Sequence, residues 1–547
     1  MCGVGRPTVA ADLIVLNANV LTMDPSRSRA EAVAIGGGRV LAVGSNDDVR
    51  GLVNPGAVVR DLGGQTLLPG FYDSHNHMLL TGLNQAAVDL SHARSVADVV
   101  RVMGERAAGA PPGQWVLSSA RWHESQLAEG RFPLREELDR VSAGHPLLLQ
   151  RGGHNVVASS QALELAGIEP DVSNPPGGTF VRAPDGSLTG HAIGAAAQLI
   201  RARMPSPPER VLHEALLRVE RAYNAAGITS VIDPGLSPRE IGAYRSLSAV
   251  GQPTVHASLM WRLNPGFGAE ALESALAELR SAQIHRDLDD PWARTLAIKL
   301  GVDGGVEAGY YREPYLFADD PASPRGKPSM SQENFDAFCV EAARLGWQVG
   351  AHCVGDAAID ATLSAFEAAD QVAPVAGLRW TLIHMMLARE DHWARANRLG
   401  LIVTAQQPLL FTLADGFLKY IGPDRTRDIE PLRMYLARSE QPVGGGSDSP
   451  VTPYEPLLGI WSSVTRQTHL AGVQGHEWRI STEEALRMYT LGSAYAAFEE
   501  DQKGSITPGK RADMVVLDAD PCAVEPEAIR EIRVLLTLVD GRQVFEA

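Results

Sequence analysis

Residues 65–77 read QTLLPGFYDSHNH, an apolar run that ends in Asp73, His75 and His77. Side chains along a strand repeat with a period of two, so these three point to one face and both imidazoles can reach one ion. A histidine pair alone is a weak signal. With 15 histidines in 547 positions, about 0.4 such pairs arise by chance, and two exposed loop histidines would look the same.

Seven further apolar runs follow: 227–235 (GITSVIDPG), 254–262 (TVHASLMWR), 294–305 (RTLAIKLGVDGG), 346–355 (GWQVGAHCVG), 379–385 (RWTLIHM), 401–408 (LIVTAQQP) and 441–450 (QPVGGGSDSP). Each is separated from the next by a segment long enough to return as a helix, the alternation that predicts a parallel sheet. Eight such strands predict an α/β protein built on a TIM (β/α)8 barrel. One helix is legible in detail: Ser331 caps it, Phe335, Phe338, Ala342 and Leu345 form its apolar stripe, and Gly346 follows its last turn.

The first and second runs lie about 140 residues apart, far beyond an ordinary βα connection, so residues 86–205 read as an inserted lid subdomain. The chain ends are short strands, and 512–521 (ADMVVLDADP) and 534–546 (VLLTLVDGRQVFE) echo 11–20 (ADLIVLNANV) and 32–44 (AVAIGGGRVLAVG). Neither half can easily cover its own apolar face. Residues 1–66 and 504–547 are therefore expected to form one discontinuous β-sandwich domain, with 67–85 and 206–503 as the barrel.

A chain of 547 residues with 45% hydrophobic and 21% charged residues is an ordinary globular enzyme of several domains. Its formal charge of -16 would repel a phosphate backbone, so nucleic acid is excluded as a partner. Cys2, Cys339, Cys353 and Cys522 form no disulfide framework and no CxxC pair. With no leader-like N-terminus and no run of about 18 apolar residues, the reading is a cytoplasmic protein, not bound to membranes, that acts on a small-molecule substrate. Oligomeric state is left open, a homo-oligomer included.

Potential ligands recur where later strands end: Lys299 on the fourth, His352 on the fifth, His384 on the sixth and Asp448 on the eighth. Barrel enzymes place their active sites on that face, whereas chance would scatter such residues over helices and the other face as well. The motifs PGFYDSHNH, IKLGVDGG, GAHCVGD, LIHM and GGSDSPVTPYEPLLGI, with the terminal GSITPGKRADMVVLD, resemble the amidohydrolase superfamily, specifically its YtcJ-like branch (amidohydrolase family 3), along the whole chain. The resemblance implies a divalent metal centre held by His75, His77, His352, His384 and Asp448. Zinc suits imidazole and carboxylate, although manganese, iron or cobalt would fit the same donors.

An ammonium has no lone pair, so Lys299 could ligate only as a carbamate formed with CO2, which the resemblance to binuclear amidohydrolases permits. Two ions would then be bridged, and carbamate, Asp448 and hydroxide would leave a net charge of about +1. The alternative is a lysine paired with Asp303 or with a substrate carboxylate. Asp448 is the expected general base and acid for a metal-activated water, and Asp73 the partner that orients one imidazole.

His154 matches a glycine-histidine element in the insertion of YtcJ-like proteins and is a candidate substrate contact. Trp122, His123, Tyr310, Tyr311 and Trp261 are candidates for an aromatic-tolerant wall, with core packing the alternative. Leu409, Leu410 and Phe411, just past the seventh strand, are candidates for a dry pocket. Relatives often carry an acidic residue where TGHAIG has Gly194, so substrate preference does not transfer. Cys353 follows a ligand in its strand and is expected in the core. No GxSxG occurs, which disfavours a serine hydrolase. The reading is an amidohydrolase of a small amide, an N-acyl or N-formyl amine with an apolar or aromatic group. A heterocycle deaminase on the same fold and a non-catalytic scaffold are the alternatives.

Overall fold

The computed structural model describes residues 10–547 apart from 54, 121, 252, 282 and 319–322. Cys2 and the reading of the extreme N-terminus lie outside the described residues. Eight parallel strands form one sheet: β1 (Phe71–Asp73), β2 (Ile228–Leu236), β3 (His256–Arg262), β4 (Ala293–Gly301), β5 (Gln348–Cys353), β6 (Thr381–His384), β7 (Ile402–Ala405) and β8 (Gly444–Gly445). Each pairs in parallel with its sequence neighbour. Between β1 and β8 the ladder is replaced by single bonds such as Ser74 N to Gly445 O at 3.0 Å, so the barrel is nearly closed.

Period two sorts the barrel residues. Ile298 and Leu300 of β4 and Val349, Ala351 and Cys353 of β5 pack outward among the helices. Tyr72, Ile232, Met260, Ala297, Ile383 and Ile402 fill the interior. The helix after β4 spans Gln332–Arg344, with the Ser331 side chain accepting from Asn334 N at 3.3 Å. Phe335, Phe338 and Ala342 are buried as expected, but Leu345 is 47% exposed, because the helix has ended and Leu345 is its C-cap.

Residues 116–194 contribute a five-stranded sheet with apolar clusters that include Leu147, Leu149 and Val157 on one face and Leu148, Val156 and Ala158 on the other. The chain ends form two more sheets. One has four strands, all from residues 13–61; the other has six, drawn from both ends. In the second, Met514–Leu517 pairs antiparallel with Thr66–Pro69. Alternation along these two strands ties the termini to the barrel: Leu67, Met514 and Val516 pack with Val15, Val20 and Val33 between the two terminal sheets, whereas Leu68, Val515 and Leu517 pack into the barrel's own core.

Cys339, Cys353 and Cys522 are free thiols. No helix among the described residues is long and apolar enough to cross a membrane.

Deleting residues 504–547 removes Met514, Val516 and Leu538 from the core between the terminal sheets and leaves Thr66–Pro69 an open edge. The truncated chain is expected in the insoluble fraction; soluble, active protein at wild-type yield would show that the N-terminal strands do not need this partner.

Candidate metal centre

The C-terminal ends of the barrel strands open into a cavity of about 1160 Å³, roofed by the insertion. His75 and His77 lie just beyond the end of β1, in a segment held by backbone bonds to the segment after β8. Asp448 N donates to His75 O at 2.7 Å, and His77 N donates to Ser449 O at 2.9 Å. This zipper brings His75 Nε2 to 3.3 Å and His77 Nε2 to 3.2 Å from the same Asp448 oxygen, Oδ1. His77 Nδ1 lies 3.0 Å from Pro234 O at the end of β2, a contact that requires the proton on Nδ1 and leaves the Nε2 lone pair for the centre.

His384 joins the cluster against strand alternation. Its φ of 68° and that of 59° at Asp448 lie in the left-handed region, a conformation that costs a non-glycine residue on the order of 1 kcal/mol or more. The turn brings the His384 ring to 4.9 Å from that of His75 and 4.6 Å from that of His352. Lys299, from β4, borders the same cavity. Six side chains from five strand ends thus face one volume: His75, His77, Lys299, His352, His384 and Asp448.

Burial keeps the His75, His352 and His384 imidazoles neutral. It pushes His75 down to about 3, helped by Lys299, and holds His352 and His384 well below the usual histidine range. Burial works to raise Asp448, but the neighbouring His75 and His77 outweigh it and hold the carboxyl well below the usual carboxylate range. Burial also lowers Lys299 to about 8 against the pull of Asp448. Neutral imidazoles grouped around an anion are a donor set for a cation, and His75 Nδ1 and His384 Nδ1 are buried with no hydrogen-bond partner among the described residues. The residues present fit a divalent metal.

The structure corrects several expectations. Asp73 holds no imidazole: it accepts from His75 N at 3.1 Å, Ser447 N at 2.9 Å, Ser447 Oγ at 2.6 Å and Asn76 Nδ2 at 2.8 Å. It fixes backbone on both sides of the β1–β8 seam instead of orienting a ring. Tyr310 and Tyr311 do not border the cavity; Tyr311 is fully buried edge-on against Tyr315, and Tyr315 takes the place on the wall. His123 is held by Ser125 Oγ at 2.7 Å, and Trp261 is buried among the barrel helices. Of the residues past β7, Leu409 borders the cavity, whereas Leu410 and Phe411 pack behind it. Asp303 is not paired with Lys299: it accepts the backbone amides of Tyr310, Val354 and Gly355.

Trp122 and His154 do border the cavity. The Trp122 indole donates to Gln150 O at 2.6 Å, and the His154 ring lies 5.4 Å from that of His352. Burial holds His154 near 4. Sequence reasoning missed the charges that seat it. Arg151 Nη2 pairs with Glu124 Oε1 at 3.0 Å, Arg151 Nη1 lies 3.3 Å from Glu307 Oε2 beyond β4, and Asn155 Nδ2 bonds to Glu307 as well. Burial raises the Glu307 carboxyl, but Arg151 brings it down to about 2. The available signal was an arginine at the end of the apolar run 146–150 (PLLLQ).

A barrel whose strand ends gather histidines, a lysine and an aspartate defines a hydrolase class, and comparison with known proteins agrees. The sequence pattern of the amidohydrolase family matches residues 58–545. An N-substituted formamide deformylase of Arthrobacter pascens is 32% identical over 98% of this chain and 99% of its own length. YtcJ of Bacillus subtilis is 28% identical, covering 96% of this chain and 98% of its own. An uncharacterized metal-dependent hydrolase from Pyrococcus horikoshii superposes with a TM-score of 0.74 over 94% of this chain and 99% of its own, at 22% identity. The chain belongs to the amidohydrolase family, as the resemblance of its motifs implies. It is a hydrolase acting on carbon–nitrogen bonds other than peptide bonds.

In Asp73→Asn, an amide with one accepting oxygen and two N–H donors would face four donors. Leaving one buried donor unpaired costs on the order of 1–3 kcal/mol, so the apparent unfolding midpoint in urea should fall clearly. An unchanged midpoint would mean that the seam closes without this carboxylate.

Proposed function

We propose that this protein is a metal-dependent amidohydrolase that cleaves a small N-formyl or N-acyl amine carrying an apolar or aromatic group. The observation that carries the reading is the convergence of His75 Nε2 and His77 Nε2 on one Asp448 oxygen, with His352 and His384 beside them. The relative named an N-substituted formamide deformylase supports the substrate class. In this reading His75, His77, Lys299, His352, His384 and Asp448 hold the metal, which we take to be zinc, one ion or two. When bound, a divalent cation would supply Lewis acidity toward the carbonyl and lower the pKa of water to about 7.

The remaining work falls to side chains. Asp448 takes the proton of the attacking water on its carboxylate and returns it to the departing nitrogen. His154, neutral and held beside His352, offers a hydrogen bond to the substrate oxygen. Leu409, Leu413, Phe417, Met386 and Val306 give the cavity an apolar wall for the group on nitrogen, and Trp122 extends it from the insertion. For Lys299 we propose carboxylation: Nζ attacks the carbon of CO2 and loses a proton, leaving a carbamate, an anion that would add oxygen donors to those of Asp448. Such a reaction needs the free amine, and lowering Lys299 to about 8 enlarges that fraction near neutral pH.

We assign residues 1–66 and 504–547 to a β-sandwich domain, 67–85 and 206–503 to the barrel and 86–205 to a lid. We place the protein in the cytoplasm, free of membranes and nucleic acid.

Asp448→Asn is expected to keep much of its bound metal while losing at least about a hundredfold in kcat, the usual worth of acid–base catalysis. Near-normal turnover would remove Asp448 from proton transfer. The substrate class is tested by kcat/KM for N-formyl and N-acyl arylalkylamines against equally sized charged amides. A preference for the charged series, or release of ammonia with no carboxylate product, would overturn it.

A further inference from the structure

The opposite end of the barrel carries a second cluster of ligating side chains that the amidohydrolase reading does not use. His256 is the first residue of β3, Asp513 immediately precedes the strand Met514–Leu517, and Asp540 lies in the turn between Val534–Val539 and Arg542–Glu546. We propose that His256, Asp513 and Asp540 form a divalent-cation site that fastens the C-terminal strands to the base of the barrel.

The argument begins with the imidazole. His256 Nδ1 lies 2.7 Å from Pro291 O, so that nitrogen carries a proton, and in the neutral ring this fixes Nε2 as the lone-pair atom. The lone pair faces two more acceptors: Asp513 Oδ2 at 3.4 Å and Asp540 Oδ2 at 4.0 Å. His256 Nε2 and Asp513 Oδ2 are both buried with no hydrogen-bond partner among the described residues. Acceptors set against each other in a low dielectric repel, and a cation between them removes the conflict. Metal–ligand distances of about 2.0–2.1 Å in a tetrahedron place ligand atoms roughly 3.3 Å apart, which the His256–Asp513 pair already satisfies and a small rotation of Asp540 would complete.

The outer contacts are those of a prepared site. Asp513 Oδ1 accepts Asp540 N at 2.8 Å and Asp540 Oδ1 accepts Arg511 Nη1 at 2.7 Å, so each carboxylate keeps its Oδ2 for the centre. Trp292 stacks on the His256 ring at 4.2 Å and 8°, fixing its plane. His256 and Asp513 are buried, while the Asp540 side chain is 21% exposed, which leaves a route for the ion and room for a water ligand. The nearby Lys503 and Arg294 share the Glu499 carboxylate, at 3.2 Å and 3.3 Å, and point their bonds there and not at the two Oδ2 atoms. A third histidine–carboxylate group, Asp360, Asp391 and His392, differs at this point: its centre is filled by the Arg312 guanidinium, which bonds to all three.

The test is metal content after dialysis against zinc chloride and removal of loose ion, measured by mass spectrometry on wild type, Asp540→Asn and His256→Gln. The wild type should hold one equivalent more than either variant, and anomalous diffraction at the zinc edge should show a peak between His256 Nε2 and Asp513 Oδ2. Equal metal content, no anomalous peak and a nitrogen NMR signal with both His256 nitrogens protonated would overturn the site in favour of an imidazolium–carboxylate pair. If His256→Gln does not fold, Asp540→Asn and the anomalous map decide the question. The result is independent of the catalytic reading, because neither residue touches the cavity at the other end.

Discussion

The Asp73 carboxylate accepts four hydrogen bonds, and the closure of the barrel depends on it. The eighth strand is only Gly444–Gly445, too short for a ladder to set its register against β1. The carboxylate does that work by holding the amides of His75 and Ser447 from the two sides of the seam. Gly446 makes the approach possible: a Cβ there would lie 2.7 Å from both Asp73 Oδ1 and His75 N. Burial alone would favour the protonated acid, and the bonds oppose it only in part, leaving Asp73 raised to about 6. The same contacts aim His75, His77 and Asp448 at one point, so the fold's weakest joint and the centre's geometry share one cause.

The sequence was most legible where period and position coincide. Eight apolar runs, a capped helix at Ser331 and ligands at strand ends need only the alternation of strand side chains and the known face of a barrel. It was least legible where the backbone leaves that alternation. Strict period two would turn His384 outward with Leu382, and the left-handed φ that brings it in is not encoded by any glycine. An acid near histidines suggests a partner of an imidazole, but Asp73 accepts from two backbone amides, the Asn76 side chain and the Ser447 hydroxyl, and backbone donors leave no mark in a residue pattern. Tyr310 and Tyr311 sit beyond a strand end yet do not border the cavity, since the loop after β4 is held by Asp303 and carries Tyr311 into a separate apolar cluster and Tyr310 against the barrel's main core.

The insertion is joined to the barrel by charge. Arg151, Glu124 and Glu307 are all buried, and such a group contributes little net stability but specifies one arrangement strongly, because removing a partner leaves a buried charge uncompensated. What it specifies here is the place of His154. Gly194 N donates to His154 O at 2.8 Å, and Arg201 holds Gly153 O at 2.7 Å and Asn155 O at 3.2 Å on either side of it. A side chain from a segment remote in sequence is thereby held over the barrel's histidines as rigidly as if it came from a strand.

This rigidity bears on how substrate enters. Lifting the insertion would separate Arg151 from Glu307 in a low dielectric, and breaking such a pair costs about 3–5 kcal/mol, which limits the lifted state to roughly one molecule in a hundred to one in ten thousand. A standing entrance carries no such cost. Leu80, Leu199 and Phe267 border the cavity and are nonetheless 39%, 45% and 39% exposed, so the wall opens to solvent beside them. Apolar residues at an entrance favour the approach of an apolar group and do nothing to desolvate a charged one, so the entrance selects in the same direction as the wall of Leu409, Leu413 and Phe417 farther in.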